Sequence, residues 1–304
     1  MDSLIKHFRV WISAMRLRTL PLSLSGIILA SCFAYYTAVF NWGVCILSIL
    51  TTLSLQILSN FANDYGDGIK GTDNASRIGP KRAIQSGAIH PKVLLRAIKI
   101  NGVISVILAL LLIFCAFDTT YVLFSIFFIV LSLAATISAI RYTMGDNAYG
   151  YKGFGDLFVF VFFGLVSVIG CYVLYAKTIH GITFLPACGI GFLSAAVLNL
   201  NNMRDAVSDK LSGKNTLAVK MGQKNIKYYH YGLILLTMLV LTIHVILFYT
   251  SVYNIMFMIC YVPLLKHLNI VAKNNEPELL DLELKKIALI TFSMAILMGV
   301  SYII

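Results

Sequence analysis

Charged residues are scarce in this sequence. Of its 304 residues, 12% are charged and 59% are hydrophobic, whereas about a quarter of the residues in a soluble globular protein are charged. The six cysteines are scattered through apolar stretches without the CxxC spacing of a zinc or redox site. No GxxxxGK[ST] motif is present and no GxGxxG follows a predicted strand, so the usual nucleotide-binding loops are missing. The composition therefore favours an integral membrane protein.

Long apolar runs follow one another along the whole chain. There are nine of them, at 20–39, 43–62, 93–116, 120–140, 155–175, 183–203, 228–249, 252–272 and 285–304. Each has about 20 residues, the length that a helix needs to cross a hydrocarbon core of about 30 Å. The runs do not alternate polar and apolar residues as barrel strands do. The sequence predicts an all-α integral membrane protein with nine transmembrane helices in one bundle. We expect a single domain over 1–304, with an interfacial amphipathic lead-in at 1–19.

The net charge of +11 reflects where the basic residues lie along the chain. All but Lys177 of the 24 basic residues fall in the amino-terminal segment, in connections that follow even-numbered runs, or in the ends of the runs that border those connections. Because cytoplasmic connections are enriched in Lys and Arg, we expect the amino terminus and these loops in the cytoplasm and the carboxyl terminus outside the cell membrane. The expected partner is the lipid bilayer and not nucleic acid. No feature of the sequence specifies an oligomeric state.

Acidic residues gather at two places on this predicted cytoplasmic side. The first is "NFANDYGDGIKGTD", with Asp64, Asp67 and Asp73, and the second is "NLNNMRDAVSDKLSGKNT", with Asp205 and Asp209. The paired aspartates are three and four residues apart, so each pair shares one helical face. Each stretch reads as an apolar helix, an Asn-rich turn, paired aspartates and a step of Gly, Lys and Thr. Their separation by four runs predicts that helices 1–4 and 5–8 form a pseudo-repeat, with a ninth helix added.

Carboxylates at the carboxyl end of a helix need a compensating charge. That end carries partial negative charge, which makes each aspartate there unfavourable by roughly 0.3–1 kcal/mol. Mg²⁺ suits two facing clusters because it is a hard ion that binds carboxylates, water and phosphate oxygens, and Asn side chains add neutral oxygens. The alternative for either cluster is a solvated turn that ends a helix. The presence of two similar clusters on one membrane face favours a paired Mg²⁺ site.

Basic side chains near the two clusters suit an anionic substrate. Six of them lie in the adjoining loops or in the second cluster: Arg77, Lys81, Arg82, Arg141, Arg204 and Lys214. Arg and Lys beside Mg²⁺ carboxylates neutralise the charge of a diphosphate. The alternative for any one of them is that it only sets membrane topology. A diphosphate held at a membrane surface above apolar helices indicates a substrate with a lipid tail.

These motifs resemble the two Asp-rich motifs of the UbiA-type intramembrane prenyltransferases. The resemblance rests on "NDYGD" and "RDAVSDKLSGK" at the ends of runs 2 and 6, on "KRAIQSGAI" after the first motif, and on the number of helices. Within that superfamily, "YGYKGFGD" and "NNMRDAVSDKLSGKNTLAVKMG" are most similar to the branch that prenylates 1,4-dihydroxy-2-naphthoate in menaquinone synthesis. The chain departs from the pattern at Gly71, where many members have a third motif aspartate. It also has Asp146-Asn147 where relatives commonly have a Pro-containing stretch.

The resemblance implies a Mg²⁺-dependent prenyltransferase whose substrates are a polyprenyl diphosphate and an aromatic acceptor. It implies transfer of the polyprenyl group to 1,4-dihydroxy-2-naphthoate with loss of CO₂ and pyrophosphate, giving demethylmenaquinol. The implied metal ligands are Asn63, Asp64, Asp67, Asp205 and Asp209, of which the four aspartates are also the implied catalytic residues. The implied diphosphate-binding residues are Lys81, Arg82, Arg141, Arg204 and Lys214.

Other interpretations stay open at this point. The acceptor could be another ring, such as 4-hydroxybenzoate, homogentisate or chlorophyllide. CDP-alcohol phosphotransferases also place aspartates at membrane helix ends, but their contiguous DGxxAR motif is absent from this sequence. A transporter is disfavoured, because it would place charged residues near mid-bilayer on broken helices. Asp73 either binds metal or ends a turn.

Overall fold

A computed structural model describes residues 2–73 and 78–304, so Arg77 lies outside the described residues. All regular structure in the described ranges is helical. The principal helices are α1 (Asp2–Met15), α2 (Leu20–Tyr36), α3 (Trp42–Ile69), α4 (Pro91–Ala116), α5 (Val122–Arg141), α6 (Gly155–Ala176), α7 (Phe184–Leu211), α8 (Leu217–Leu247), α9 (Tyr261–Lys273) and α10 (Leu280–Val300). The all-α prediction is confirmed for these ranges.

Seven helical segments in the described ranges are long and apolar enough to cross a membrane. The number becomes eight if Phe8–Met15 and Leu20–Tyr36, which meet at 56°, are taken as one broken span. α10 is not among them, and its first two turns carry Asp281, Glu283 and two lysines. The multi-pass membrane architecture is therefore confirmed. The count of nine spans and the pseudo-repeat stay predictions.

Polar residues mark where several of these helices begin. The side chain of Asn41 accepts a hydrogen bond from the Val44 amide at 3.1 Å and caps α3. His90 precedes α4, whose first residue is Pro91, and Pro is well tolerated there because the first turn has no intrahelical partner for its amide. Each cap satisfies an otherwise unpaired backbone donor. Polar breaks between apolar runs thus become helix starts.

Both acidic motifs are helical, which corrects the Asn-rich turn predicted from the sequence. The apolar runs end at residues 62 and 203, but α3 continues to Ile69 and α7 to Leu211. Asn and Asp are weak helix formers. In the first motif Asn60, Asp64 and Asp67 are buried and bind partners in other segments, and tertiary contacts of this kind override local propensity.

The middle of α6 is a π-helix over Phe160–Gly170. It lies close against α7, since a Cβ added at Gly164 would come within 2.6 Å of the Ala187 carbonyl oxygen and 2.7 Å of the Gly191 Cα. Wide π turns often occur at functional sites. In this protein the π segment forms part of the wall of the internal cavity described below.

A small hydrophobic cluster fixes the amino-terminal helix beside the first motif. Buried Ala14 of α1, Leu58 and Phe61 of α3 and Leu94 of α4 belong to this cluster. The Trp11 ring meets Phe61 edge-on with centroids 5.6 Å apart. Because Phe61 directly precedes the aspartate motif, this packing ties α1 to the functional end of α3.

Candidate active site

The ends of α3 and α7 bring the two acidic motifs together at Lys214. Its Nζ lies 3.4 Å from Oδ2 of Asp67 and 3.8 Å from Oδ1 of Asp209. All four motif aspartates are buried, with 5% or less of each residue exposed. Buried carboxylates are costly unless they are paired and hydrogen-bonded. The partners of each one therefore define the site.

Asp67 is the most heavily bonded carboxylate of the first motif. Arg82 Nη1 donates to its Oδ2 at 2.6 Å, and the Tyr151 hydroxyl donates to its Oδ1 at 2.8 Å. The same Arg82 nitrogen lies 3.0 Å from Oδ2 of Asp73. Burial by itself lowers the pKa of Arg82, but the charges of Asp67 and Asp73 raise it above its ordinary value, so the guanidinium stays charged.

Asp64 anchors the loop that carries Arg82. Its two carboxylate oxygens accept backbone hydrogen bonds from Ala83 at 2.9 Å and from Ile84 at 3.1 Å. A carboxylate oxygen has two lone pairs, so these bonds leave each oxygen able to accept a further ligand. The sequence identifies Asp64 as a motif residue, but nothing in the spacing indicates that it also fixes a loop 20 residues further along the chain.

Arg204 is enclosed by acidic side chains within the second motif. Its Nε and Nη2 bind Oδ1 and Oδ2 of Asp205 at 2.9 and 2.7 Å. Its Nη1 binds Oδ1 of Asp281 at 2.5 Å, and its Nη2 also donates to the Asn201 side chain at 2.8 Å. Only 1% of Arg204 is exposed. Sequence reasoning missed Asp281, whose one signal is that it is an acidic residue four positions before the last apolar run.

The structure separates the basic residues suggested by the sequence into two groups. Arg82, Arg204 and Lys214 are buried in the network, whereas Lys81 and Arg141 are exposed. Within the described part of the chain, neither exposed residue joins the buried contacts. Lys81 and Arg82 are neighbours in one loop, so composition and spacing could not distinguish them.

Tyr151 links the first motif to the segment that follows the second. Besides Asp67, its hydroxyl contacts Thr72 Oγ1 at 2.6 Å, and its carbonyl accepts from the Asn215 amide at 3.0 Å. Lys70 Nζ lies 4.1 Å from the centre of its ring. Burial, together with the charge of Asp67, raises the pKa of Tyr151 well above its ordinary value. The phenol therefore stays protonated and donates a hydrogen bond to Asp67 throughout the neutral pH range.

A cavity of about 320 Å³ adjoins this network and extends into the bundle. Asn60 and Asn63 line the end nearest the first motif, and Ser48 and Leu174 line the far end. At 1.5 Å per residue, Ser48 and Asn63 are about 22 Å apart along α3. The rest of the lining is apolar or carries hydroxyl and amide groups, and none of the described lining residues is charged. A space of this kind suits an apolar ligand with a few polar groups.

Aromatic rings line the cavity close to the acidic network. Tyr149 stacks on Phe158 with centroids 4.0 Å apart, and Tyr142 meets Tyr149 edge-on at 5.4 Å. Burial raises the pKa of both tyrosines above the ordinary value, so both rings are neutral at physiological pH. The face of an aromatic ring attracts a cation within about 6 Å. The cavity can therefore stabilise positive charge without offering a charged group to react with it.

The donor set at the motif ends fits a hard cation such as Mg²⁺. In the described ranges no three His, Cys, Asp or Glu side chains converge on one metal position, and Arg82, Arg204 and Lys214 each contact two carboxylates. Asn199 is completely buried, and neither its side-chain nitrogen nor its oxygen is hydrogen-bonded. It lies on α7 six and ten residues before Asp205 and Asp209, about 9 and 15 Å along the helix axis. A completely buried amide without a partner, on the helix that carries both aspartates, is available to bind a polar ligand.

Comparisons with known proteins agree on the family. The model of the UbiA prenyltransferase family matches residues 24–279. The 1,4-dihydroxy-2-naphthoate octaprenyltransferase of Escherichia coli (strain K12) is 38% identical over 90% of this chain and 88% of its own length. The protein of the same name from Haemophilus influenzae is 39% identical over 98% of this chain and 97% of its own length.

Solved structures share the fold at low sequence identity. A UbiA homolog from Aeropyrum pernix K1 has a TM-score of 0.67 at 13% identity, covering 96% of this chain and 97% of its own. A UbiA homolog from Archaeoglobus fulgidus, solved bound to DMAPP and Mg²⁺, has a TM-score of 0.63 at 13% identity, covering 93% and 99%. The buried aspartate motifs, the helical fold and the family match lead to one conclusion: this chain belongs to the UbiA prenyltransferase family and is a membrane prenyltransferase.

Proposed function

We propose that this protein transfers a polyprenyl group from a polyprenyl diphosphate to 1,4-dihydroxy-2-naphthoate. The reaction depends on Mg²⁺, releases pyrophosphate and CO₂, and gives demethylmenaquinol. The observation that carries the proposal is the meeting of the two aspartate motifs at Lys214, beside a cavity whose described lining residues are all uncharged. The choice of acceptor is supported by the two octaprenyltransferases that are 38% and 39% identical to this chain.

The acidic and basic side chains bind the diphosphate end of the donor. Mg²⁺ would be held by Asn63, Asp64, Asp67, Asp205 and Asp209, and when bound it supplies positive charge to the departing pyrophosphate. Arg82 and Lys214 are the buried cations nearest to Asp67, so they neutralise phosphate oxygens at closest range. The exposed Lys81 and Arg141 contact the outer side of the diphosphate, and Arg204 acts through Asp205.

Ionisation of the donor breaks the allylic C–O bond, and the electron pair leaves with pyrophosphate. The remaining allylic cation is stabilised by the rings of Tyr142, Tyr149 and Phe158. The apolar walls of the cavity keep out water, because water would otherwise capture the cation. The prenyl tail lies along the apolar part of the cavity and continues towards lipid.

The acceptor ring then attacks the cation through the carbon that bears its carboxylate. A new C–C bond forms there, and CO₂ leaves while the electrons of its bond restore aromaticity to the ring. Gln56, Ser59 and Asn60 line the cavity near the motif and offer neutral hydrogen-bonding groups to the acceptor. No proton has to be removed from the attacked carbon, so the proposal does not require a general base at that position.

The membrane arrangement is part of the same proposal. We place the active-site loops and the amino terminus in the cytoplasm of a bacterial cell, with α1 at the interface of the cell membrane. α10 is the ninth crossing, its charged first turns lying at the cytoplasmic surface, so the carboxyl terminus is outside. Residues 1–304 form one domain. Its two related halves are crossings 1–4, which begin with α2, and crossings 5–8, which begin with α6.

The test is an assay of pyrophosphate and CO₂ release by the purified protein in detergent. The substrates are 1,4-dihydroxy-2-naphthoate and octaprenyl diphosphate, with and without Mg²⁺. We expect equimolar, Mg²⁺-dependent release of both products. Pyrophosphate without CO₂ would move the acceptor to another ring, such as 4-hydroxybenzoate, or to water. Release of neither product by folded protein would overturn the proposal.

A further inference from the structure

Each acidic motif is bound by an arginine that is shared between a motif aspartate and a second aspartate. In the first motif Arg82 Nη1 lies 2.6 Å from Asp67 and 3.0 Å from Asp73. In the second motif Arg204 has the same position between Asp205 and a distant residue of α10. The arrangement recurs although the two arginines come from unrelated positions, one in a loop after the motif and one inside it.

The contacts of Arg204 bear directly on metal binding by Asp205. Both oxygens of Asp205 accept hydrogen bonds from Arg204, and a guanidinium in that position repels a metal cation. Asp205 can therefore serve as a strong Mg²⁺ ligand only when Arg204 relaxes part of this contact. A buried guanidinium that loses its acceptor is strongly destabilising, so it needs another carboxylate within reach. Asp281, at 2.5 Å from Nη1, is that carboxylate.

The first turn of α10 holds Asp281 firmly in place. Two residues further along, Glu283 is buried and bonded to His267 Nδ1 at 2.6 Å and to Lys286 Nζ at 2.5 Å. His267 in turn contacts His230 Nε2 through its own Nε2 at 2.8 Å. These bonds connect α8, α9 and α10. They fix the helix start from which Asp281 reaches Arg204.

We propose that Asp281 is a positioning residue of this prenyltransferase, which holds Arg204 when Asp205 turns to ligate the metal. This inference rests on the proposed function, since it takes Asp205 to be a metal ligand. In the metal-free arrangement Arg204 is divided between the two aspartates. When the cation binds, Arg204 shifts towards Asp281 and Asp205 becomes available. Asp73 has the corresponding role for Arg82 and Asp67.

The experiment measures Mn²⁺ binding to detergent-purified protein by electron paramagnetic resonance, without substrates. Asp281→Asn keeps the size of the side chain and removes its charge. Glu278→Gln is the matched control, because Glu278 is an exposed acid three residues earlier in the chain. We expect Asp281→Asn to weaken Mn²⁺ binding by roughly threefold to tenfold and Glu278→Gln to change it by less than about twofold. Asp281→Glu should restore most of the affinity.

A double-mutant cycle separates positioning from a simple effect of charge. In a protein carrying Arg204→Gln, no guanidinium competes for Asp205, so adding Asp281→Asn should cause no further loss of Mn²⁺ affinity. If Arg204→Gln does not fold, as judged by size-exclusion chromatography, Arg204→Lys replaces it, and the effect of Asp281→Asn should then shrink, because lysine cannot bridge both carboxylates in the same way.

Two results would overturn the inference while leaving the proposed function intact. One is an unchanged Mn²⁺ affinity in Asp281→Asn. The other is an equal loss from Asp281→Asn with and without Arg204. Failure of the wild-type protein to bind Mn²⁺, together with Mg²⁺-independent pyrophosphate release, would instead overturn the proposed metal site itself. The pyrophosphate assay gives a further distinction: we expect Asp281→Asn to raise the Mg²⁺ concentration at half-maximal rate more than it lowers the maximal rate.

Discussion

The two aspartate motifs are similar in sequence, but different parts of the chain hold them. The first motif is bound by the loop that follows it, through the amides of Ala83 and Ile84 and the side chain of Arg82. It is also bound by Tyr151 of the third loop, residues 142–154 between α5 and α6. The second motif supplies its own arginine and relies on α10 for its counter-charge. Helical spacing places the aspartates of each motif on one face, but packing against other segments determines which residues they contact.

This difference shows how a repeated sequence pattern acquires unequal roles. Asp67 contacts Arg82 and Lys214, and so it connects both halves of the site. Asp205 is bonded to Arg204, which precedes it directly and extends to α10. We therefore regard the first motif as the side of the site that depends on loops. The second depends on helix packing. The following substitutions test that distinction.

Neutralising one aspartate in each motif should change the activity most. Asp67→Asn and Asp205→Asn should each lower the rate of pyrophosphate release by on the order of 10²–10³, because each removes a proposed ligand of the Mg²⁺ that would stabilise the departing pyrophosphate. Asp67→Asn should also lower the unfolding temperature more, because two buried cations lose an anionic contact instead of one. Asp146→Asn, an exposed change in the third loop, is the control. Equal losses of stability in both motif variants would contradict the comparison.

A steric change tests whether the first motif depends on the third loop. Gly66 lies between Asp64 and Asp67, and a Cβ there would come within 2.7 Å of the Thr143 backbone. Gly66→Ala should therefore destabilise the protein by about 1–3 kcal/mol and displace the motif. Gly102→Ala is the control, because nothing lies within 4 Å of its added Cβ, and alanine there should be neutral or favourable. Thermal unfolding in detergent measures both, and a stable, fully active Gly66→Ala protein would argue against this dependence.

Removal of one hydroxyl tests the link between the two motifs. Tyr151→Phe keeps the ring next to Lys70 but deletes the donor to Asp67, which should reduce the rate of pyrophosphate release by about tenfold. The apparent Mg²⁺ affinity should change as well, because Asp67 loses a hydrogen bond that stabilises its charge. Tyr228→Phe is the matched control, because it removes a hydroxyl at an exposed position. A normal rate in Tyr151→Phe would mean that the third loop does not support the first motif.

The smallest expected effect is that of Tyr151→Phe on the pH dependence of stability. The folded state raises the pKa of Tyr151 above its ordinary value of 10.0, so above about pH 10 the unfolded chain releases this proton first and stability falls as pH rises. Tyr151→Phe lacks this contribution. Its unfolding temperature should therefore fall less steeply than that of the wild type between pH 9 and pH 11. Identical slopes would show that the Tyr151 phenol ionises equally easily in the folded and unfolded protein, against its burial beside Asp67.

Much of the fold follows from local features of the sequence. Runs of about 20 apolar residues form helices in lipid because the backbone finds no other hydrogen-bonding partner there. Spacings of three and four residues are sufficient to predict that Asp64 lies beside Asp67 and Asp205 beside Asp209. The extension of α3 and α7 through the motifs could not be predicted in this way, because Asn and Asp locally favour turns and become helical here through buried tertiary contacts.

Local patterns alone establish that this is a membrane protein of many helices, with two aspartate motifs on defined helix faces. Periodicity and hydrophobicity act over a few residues, and both can be read directly from the chain. Packing between distant segments is what brings Arg82 and Lys214 into the site while Lys81 stays outside, and what lets Asp281 meet Arg204 from 77 residues away. The physical reason is that a buried charge is stabilised by whichever opposite charge packing brings within about 3 Å. That choice depends on how helices distant in sequence cross one another.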